Sequence, residues 1–449
     1  MNPDDRVIRE LLADVVEQSA LNLLDPDRLQ AIAEDLRVVE RRRSYHAGLV
    51  TVCIVISALQ RSTDTQGRLA DARWNYEILG GGPTKESGFR KVARKIAPVL
   101  QLLLARRLNA LVCNATTPEL KGRLSAFRDV LVPDGCAFKL AKRLASSYAG
   151  TGNDSELKLH AVYSLRANGL VSIHATAGTV NDNDGFAPQW QPGALYIWDL
   201  GYNDYARAID ATAAGALILQ RLKSNANPKV VASYGPTGHR RELRGENGKA
   251  ICLDEACAMG LVHQQRVLDL DVELRTKEQS ALMRVVCVPF GGEDRYYLTS
   301  LPRQEYSAYE VAELYRLRWE VELFFRGLKG AIRLDEVRRL ENEDSLHTIV
   351  YGTLLAATLV RDITASLNQL EAGESEQDNA SNEAFPPTTA QCEPQGRPEA
   401  NQRATKAEKK DQSHQRSGTQ TAAELLRRRL TDRARISSCA RSSAHLSVR

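Results

Sequence analysis

The chain has 449 residues, of which 43% are hydrophobic and 26% charged, and its formal net charge is +4. This length allows two or three domains with a sizeable core, and the composition is that of an ordinary globular protein. The mildly basic balance permits a nucleic-acid partner, so an argument for DNA binding has to come from local clusters of basic residues.

The cysteine pattern and the N-terminus exclude several other classes. Eight cysteines are scattered without a Cys-x-x-Cys pair or a zinc-like Cys/His spacing, so we expect reduced thiols and no metal site built on them. The N-terminus has no signal-peptide pattern, and the longest apolar run, residues 49–59, is too short to span a bilayer. We therefore predict a soluble, cytoplasmic protein without a membrane partner.

Residues 1–120 are predicted to form a helical N-terminal domain, because their apolar residues recur at helical spacing. A breaker at residues 80–83, Gly-Gly-Gly-Pro, separates two helices, and the second carries Arg90, Lys91 and Arg94 on its early turns. This arrangement resembles a turn followed by a DNA recognition helix. Since basic amphipathic helices are common, a DNA end-binding domain and a solvated helix face are hypotheses of equal weight here.

From residue 121 the pattern is typical of strands. Two apolar runs, residues 129–134 and 194–199, each end in an aspartate, Asp134 or Asp199. Further strands are predicted over residues 157–165, 170–177 and 216–222, with a hairpin turn at residues 166–169. Residues 228–302 are predicted to form a β-rich insertion.

Helices resume at Ser307 and include an apolar helix over residues 345–367. Residues 369–449 are rich in polar residues without apolar periodicity, which indicates a mostly disordered, basic tail. Within that tail, residues 422–435 are basic, and we predict a short helix there that adds non-specific affinity for phosphates.

The segment from residue 315 to residue 329 is the most informative part of the chain. At 100° per residue it forms an amphipathic helix whose signature polar residues lie within about 60° of one another. A carboxylate can hold a metal ion, while arginine, lysine and aromatic rings suit phosphates and bases. The alternative is a solvated face with i,i+4 ion pairs, which leaves the aromatic residues unexplained. The polar face comprises Tyr315, Arg318, Trp319, Glu322, Arg326 and Lys329.

Two strand-end acids and one helical glutamate can place three carboxylates around one point. We assign Asp134, Asp199 and Glu322 as catalytic and metal-binding residues. Carboxylate oxygens suit Mg²⁺, for which Mn²⁺ can substitute, and a pair of such ions supports in-line displacement at phosphorus. Alternatively, each aspartate only stabilises the turn that follows its strand, without a catalytic role. The neighbouring acids Asp129, Asp204 and Glu320 are weaker candidates.

The spacing Tyr315-x₂-Arg318-x₃-Glu322-x₆-Lys329 resembles the signature of bacterial DDE transposases of the insertion-sequence-four type. Similar flanking text occurs at residues 297–302, at Asp134-Gly135 and at Asp199-Leu-Gly-Tyr202. The resemblance covers residues 125–365 strongly and the N-terminal helices weakly. It implies an α/β fold with an RNase H-like mixed sheet, formed by residues 121–227 and 303–368 and interrupted by the β-rich insertion.

The resemblance also implies the roles of the residues. The three acids would bind the catalytic metals, and Tyr315, Arg318 and Lys329 would contact phosphates at the transposon end. Such enzymes nick the end, form a hairpin with the new 3′-OH, reopen it and join the freed end to target DNA. The implied partners are double-stranded DNA, as terminal inverted repeats and as target, and a second copy of the chain in a nucleoid-associated synaptic complex.

Two departures from the family pattern bear on the hairpin step. Leu200 stands where many relatives have arginine, and no tryptophan lies in the insertion, where some relatives hold a flipped base with one. An insertion aromatic residue would have to stack on the base instead; the candidates are Tyr234, Phe290, Tyr296 and Tyr297. Two other functions stay open: a catalytically silent transposase-derived DNA-binding protein, and an RNase H-like nuclease without strand transfer.

Overall fold

The computed structural model describes residues 23–38, 45–60, 65–113, 122–223, 225–235, 238–245, 248–257, 267–290, 293–330 and 332–382. Its first described part is helical, with α1 (Pro26–Asp35), α2 (Ala47–Leu59), α3 (Thr65–Tyr76), α4 (Glu86–Ala93) and α5 (Ala97–Cys113). The apolar helix α2 is buried along almost its whole length and forms the centre of this bundle. The predicted breaker before α4 is present, because Gly80 and Gly82 adopt positive φ angles of 87° and 79°.

The five strands that follow form one half of a large mixed sheet. They are β1 (Val130–Lys139), β2 (Glu156–Ser164), β3 (Gly169–Ala177), β4 (Leu195–Trp198) and β5 (Leu217–Arg221). Strands β1, β2 and β3 are an antiparallel meander, whereas β4 pairs in parallel with both β1 and β5. The turn between β2 and β3 lies where the sequence predicts it, with Asn168 at a φ of 46°.

Strand β1 is longer than the sequence suggests, and Asp134 is not at its end. We expected a strand that stops at this acid, but β1 continues to Lys139. The reason is its antiparallel pairing with β2, which runs from Leu131 to Lys139, whereas its parallel pairing with β4 involves only Val130 and Leu131. Asp134 therefore lies just beyond the point where β1 separates from β4, while Asp199 directly follows the last residue of β4.

The second half of the sheet is antiparallel throughout. It comprises β6 (Lys229–Tyr234), β7 (Arg240–Glu242), β8 (Ile251–Cys252), β9 (Leu268–Arg275), β10 (Ser280–Phe290) and β11 (Glu293–Thr299). Since β11 pairs with β5, the two halves are continuous in the order β3-β2-β1-β4-β5-β11-β10-β9-β6-β7, and β8 pairs with β6. The predicted β-rich segment is thus an extension of the central sheet.

Three short helices connect these strands: α6 (Asp182–Gly185), α7 (Tyr205–Ala213) and α8 (Leu253–Ala256). Short 3₁₀ segments occur at Gly122–Ala126, Lys142–Leu144, Leu200–Tyr202 and Leu334–Arg339. The last part of the described chain is helical, with α9 (Ala308–Tyr315), a 3₁₀ turn (Arg316–Arg318), α10 (Trp319–Gly330) and α11 (Glu343–Asn382).

Two of these elements differ from the sequence-based expectation. The signature segment is not one uniform α-helix, because the turn at Arg316–Arg318 is wound more tightly. Helix α11 continues to residue 382, into the part that we predicted to be disordered. The rest of that tail, including the basic segment 422–435, lies outside the described residues, as do residues 1–22 of the predicted helical domain.

The sheet is covered on both faces by apolar side chains, as expected for the inner layer of an α/β protein. Val130 and Val132 of β1 face a core that also contains residues of α2, α5, α10 and α11, whereas Leu131 faces a second core with α7 and the later strands. The buried Arg68 of α3 links the helical bundle to this core by donating to the carbonyls of Ile332 and Arg333. In the described residues, no helix is long and apolar enough to cross a membrane.

Candidate active site

Three carboxylates from three separate elements meet around the guanidinium of Arg318. One terminal nitrogen lies 3.7 Å from Asp134 Oδ2 and also 3.7 Å from Asp199 Oδ2, and the other nitrogen donates to Glu322 Oε1. Asp134 comes from β1, Asp199 follows β4, and Glu322 lies one helical turn after Arg318. We call this group, Asp134, Asp199, Arg318 and Glu322, the acid centre.

The tight turn before α10 aligns the next member of the site. In a 3₁₀ turn, side chains three residues apart eclipse each other, so Tyr315 and Arg318 lie on the same side. The Tyr315 hydroxyl donates to Asp199 Oδ1 over 3.1 Å, and its ring packs against that of Tyr297 with centroids 5.0 Å apart. Tyr315 thus orients one carboxylate of the acid centre.

The acid centre has more negative than positive charge, and the pKa values of its groups reflect this. The pKa of Asp134 is raised to about 6, mainly by burial and also by the negative charges of Asp199 and Glu322. The hydrogen bond from the Gly135 N–H and the positive charge of Arg318 act in the opposite direction and lower it. Burial acts to lower the pKa of Arg318, but its acidic neighbours prevail and the net shift is upward. Three acids around one arginine leave an unbalanced, partly buried negative charge.

The donor set of the acid centre suits a divalent cation, because all three acidic side chains offer hard carboxylate oxygens. In the described part of the chain, however, no three His, Cys, Asp or Glu side chains converge closely enough to coordinate an ion as they stand. At the acid centre the guanidinium of Arg318 lies among the carboxylates. The residues therefore fit a metal provided that Arg318 gives up its contacts.

The other predicted residues of the signature helix lie around this centre. Lys329 is exposed at the end of α10, with its ammonium 5.2 Å from the Phe138 ring centroid. Trp319 is 50% exposed, and the Arg326 guanidinium lies 5.0 Å from the centroid of its ring. Such an exposed ring with a stacked cation is suited to contact with a nucleic acid.

The basic residues of α4 are not brought to the acid centre by any contact among the described residues. Arg90 forms an i,i+4 ion pair with Glu86 over 2.8 Å, and Arg94 Nε donates to Ser345 Oγ of α11 over 3.2 Å. Lys91 is exposed. Arg90 and Arg94 therefore also serve helix stability and packing, and a DNA contact by α4 stays a prediction.

The weaker acidic candidates have structural partners. Asp129 accepts hydrogen bonds from the Ser164 hydroxyl and from the backbone N–H groups of Val130 and Arg166. Asp204 caps the N-terminus of α7. Glu320 is part-exposed in the first turn of α10. Asp129 and Asp204 are thereby explained without a catalytic role.

A further acid that sequence reasoning missed packs beside the acid centre. Asp182, the first residue of α6, forms an ion pair with Lys158 of β2, with Nζ and Oδ1 3.0 Å apart. Its carboxylate also lies against Gly135 and Gly201, which closely follow the two aspartates of the acid centre. The sequence around it, Asn-Asp-Asn-Asp-Gly, is typical of a surface turn. The signal that the sequence offered was a glycine shortly after Asp134 and another shortly after Asp199, because a glycine leaves room for a side chain from elsewhere to pack against the backbone.

Comparison with known proteins identifies the family of the chain. Residues 125–359 match the transposase DDE domain family, which is more than half of the 449 residues. The chain belongs to the DDE transposase family. It is the transposase of an insertion sequence, and thus an enzyme that cleaves and transfers DNA.

Individual relatives are distant. The chain is 21% identical over 385 residues to the transposase for insertion sequence element IS231E of Bacillus thuringiensis subsp. finitimus, covering 77% of this chain and 79% of the relative. It is 23% identical over 400 residues to the transposase for IS231F of B. thuringiensis subsp. israelensis, covering 81% and 82%. A cryo-EM structure of the piggyBac transposase synaptic complex with hairpin DNA aligns over 95% of this chain and 81% of that one, with 9% identity. Its TM-score of 0.42 is too low to carry an argument.

Proposed function

We propose that this transposase cuts at the ends of its element and joins the 3′-OH to target DNA by metal-dependent phosphoryl transfer at the acid centre. Asp134, Asp199 and Glu322 are its catalytic carboxylates and would hold Mg²⁺ or Mn²⁺. The observation that carries the proposal is that one guanidinium contacts all three acids, although they come from distant parts of the chain. A bound divalent ion supplies Lewis-acid stabilisation of the phosphoryl group under attack.

The finer family and fold assignments are part of the same proposal. The signature from Tyr315 to Lys329 supports the insertion-sequence-four type. The strand order β3-β2-β1-β4-β5, an antiparallel meander joined to two parallel strands, supports an RNase H-like core. We divide the chain into a DNA end-binding helical domain (1–120), a catalytic domain (121–227 and 303–368), a β-rich insertion (228–302) and a basic tail (369–449).

In this proposal Arg318 exchanges partners when DNA binds. In the structure its guanidinium is held by the three carboxylates and partly neutralises them. A DNA phosphate offers an alternative bidentate partner for the same group, and such pairs are among the strongest charge-assisted contacts in proteins. When Arg318 moves to the phosphate, the carboxylates become available to a cation, while Tyr315 continues to orient Asp199.

The exposed surroundings of the acid centre would grip the transposon end. Lys329 supplies a point charge for a phosphate, and Trp319 with Arg326 offers a ring and a cation for stacking or backbone contact. Arg90 and Lys91 of α4, with Arg94 directly after it, would add phosphate contacts from the helical domain. We further propose a homodimer on the paired inverted repeats, acting at the nucleoid in the cytoplasm.

The insertion offers one exposed aromatic residue for a hairpin step. Tyr297 is buried, the Tyr296 hydroxyl contacts the Cys257 thiol, and the Tyr234 hydroxyl donates to Asp271. Phe290, at the end of β10, is 53% exposed, and the Arg295 guanidinium lies 3.5 Å from its ring centroid. If a base is flipped during the reaction, Phe290 is therefore the residue that would stack on it.

The decisive experiment is strand transfer of a pre-cut transposon end with Mg²⁺ or Mn²⁺. We expect Asp134→Ala, Asp199→Ala and Glu322→Ala each to abolish transfer. Glu320→Gln, two residues from Glu322 on the same helix, is the matched control and keeps the wild-type rate. Transfer that survives all three alanine substitutions would refute the assignment of the acid centre.

Footprinting, nicking and joining assays on an uncut duplex that carries an inverted repeat separate the two alternative functions. A silent DNA-binding protein protects the inverted repeats in a footprint but neither nicks nor joins them in any metal. A nuclease without strand transfer cuts the end and leaves no joined product. We expect joined product from the wild-type protein, and either of the other outcomes would replace the proposal.

A further inference from the structure

We propose that Asp182 is a positioning residue for the two aspartates of the acid centre, and that Lys158 is the counter-ion that holds it in place. The inference rests on the proposed function of the acid centre. Asp134 lies in β1 and Asp199 directly follows β4, and the pairing of these two strands ends at Leu131 and Tyr196, before either aspartate, so the spacing between the aspartates needs another support.

The two oxygens of the Asp182 carboxylate pack against the backbone at two glycines. A Cβ added to Gly135 would lie 2.3 Å from Asp182 Oδ1, and one added to Gly201 would lie 3.1 Å from Oδ2. Gly135 directly follows Asp134, and Gly201 comes two residues after Asp199. One side chain thus contacts the chain beside both aspartates and can set the distance between them.

Asp182 supports the site from behind without entering it. In antiparallel pairing, directly opposed residues share a face of the sheet, and Gly135 opposes His160 whereas Asp134 opposes Ala161. The carboxylate that packs on Gly135 therefore lies on the face opposite to the Asp134 side chain. It competes neither for a metal nor for DNA at the acid centre.

The carboxylate is itself held by charged and buried neighbours. Lys158 and Asp182 form their ion pair with side chains only 15% and 27% exposed, and Lys158 also donates to the Val180 carbonyl over 3.2 Å. The His160 ring is buried next to them, with Nδ1 3.9 Å from Asp182 Oδ1 and Nε2 2.9 Å from Thr176 Oγ1. Lys158 thus contacts both the Asp182 carboxylate and a backbone carbonyl, which restricts where the carboxylate can lie.

The alternative is an ion pair that only stabilises the fold, and a double substitution separates the two interpretations. Asp182→Ala removes both oxygens and leaves Lys158 unpaired, so it lowers stability under either interpretation. Adding Lys158→Met removes the unpaired charge, and most of the lost stability returns in urea unfolding. The space beside the two glycines stays empty in the double variant.

For a positioning role we expect kcat of strand transfer to fall about 10- to 100-fold in Asp182→Ala, with little change in KM for the DNA end. The double variant Asp182→Ala/Lys158→Met should regain stability but keep the low kcat. Lys158→Met alone, which leaves Asp182 without its counter-ion, should also lower kcat, and Lys158→Arg, which preserves the charge pair, should keep most of the wild-type activity. Asp184→Asn, an exposed acid on the same turn, is the matched control with wild-type kcat.

A wild-type kcat in Asp182→Ala, or in the double variant once its stability has returned, would overturn the positioning role. This failure is distinct from failure of the proposed function. If the positioning inference alone is wrong, the wild-type protein still transfers DNA ends and Glu322→Ala does not. If the proposed function is wrong, the wild-type protein transfers no ends in either metal.

Discussion

Two clusters in this protein pair arginine with acidic side chains, and they differ in charge balance. At the acid centre one arginine serves three carboxylates. At the β-rich segment, two arginines serve two aspartates: Arg284 forms a fork with Asp269, with contacts of 2.9 and 2.6 Å, and Arg303, just after the segment, contacts both Asp269 and Asp271. We call this second group the insertion cluster; it also includes Tyr234, which donates to Asp271.

The ratio of positive to negative charges suggests a different role for each cluster. In the insertion cluster every charge has an opposite partner, and Arg284 also donates to the carbonyls of Leu301 and Tyr306, which fixes the loop before α9. Buried ion pairs of this kind maintain a structure once it has formed. The acid centre instead concentrates negative charge that its own residues do not neutralise, and in the proposed function this excess attracts a divalent cation.

The largest effect is expected from Asp134→Asn, which tests the imbalance directly. We expect the rate of strand transfer to fall by a factor on the order of 10³, because a ligand of the catalytic ion is lost. The free energy of unfolding in urea should stay equal or rise, because one of three mutually repelling charges is removed and the amide oxygen can still accept from Gly135. A variant that is both inactive and strongly destabilised would place the acid centre in the same class as the insertion cluster.

The opposite result is expected for Asp269→Asn in the insertion cluster. The substitution leaves the buried Arg284 without its charged partner, so stability should fall by about 3–5 kcal/mol. Urea unfolding measures the change, and the folded variant should keep far more strand-transfer activity than Asp134→Asn. Glu273→Gln on the same strand is the control, because its partner Arg275 is largely exposed and such pairs contribute at most about 1 kcal/mol. Equal losses at Asp269 and Glu273 would contradict the distinction.

Much of the acid centre could be anticipated from periodicity. The buried face of α10 contains Val321, Phe324, Phe325 and Leu328, as the amphipathic pattern predicts, so the opposite face had to carry Glu322. The contact between Tyr315 and Asp199 follows from the same pattern once β4 is known to end at Trp198. Their catalytic and metal-binding roles stay predictions.

Other features depend on pairing between distant segments and could not be predicted. Asp134-Gly135 looks like the end of a strand, yet β1 continues because β2 offers a hydrogen-bonding partner along its whole length. The 3₁₀ turn at Arg316–Arg318 is too short to alter the apolar pattern on which the helix prediction depends. Asp182 lies in a turn-like sequence, and its contacts with two glycines exist only after three separate elements have come together.

A smaller effect is expected from His160, which lies behind the acid centre beside the balanced pair of Lys158 and Asp182. Burial lowers the pKa of His160 to about 4, with His174 and Lys158 acting in the same direction and Asp182 opposing them. When the pH is below about 6.5, the pKa of histidine in the unfolded chain, His160 is protonated in the unfolded chain but stays neutral in the folded chain until the pH approaches 4. Stability from this group is therefore complete above pH 6.5 and is lost as the pH falls towards 4.

The measurement is urea unfolding at several pH values between 4 and 7. Wild-type protein should lose up to about 3 kcal/mol over this range through His160, and His160→Gln should lose correspondingly less. His239→Gln changes an exposed histidine and serves as the control. If the free energy of unfolding depends on pH in the same way for the wild-type protein and for His160→Gln, His160 binds its proton equally well in the folded and the unfolded chain. Burial then does not lower the pKa of His160.

The last prediction concerns the single cation of the acid centre. Arg318→Gln removes the only positive partner that the described contacts give to all three carboxylates, so the site becomes more negative and loses its internal occupant. We expect Mn²⁺ to bind the DNA-free variant about tenfold more tightly than the wild-type protein, a difference of about 1.4 kcal/mol, as measured by calorimetry. Arg316→Gln, which removes an exposed arginine paired with Glu313 on the same turn, should not change the affinity.

Addition of a transposon-end duplex should sharpen this contrast. In the wild-type protein the DNA phosphate draws Arg318 away from the acids, so Mn²⁺ affinity rises towards that of the variant; in Arg318→Gln the duplex adds little. By linkage, the metal must strengthen end binding by the same factor in the wild-type protein. If Arg318→Gln instead weakens Mn²⁺ binding without DNA, Arg318 helps to assemble the metal site. The excess negative charge of the acid centre is then not a site that Arg318 blocks and a cation can fill.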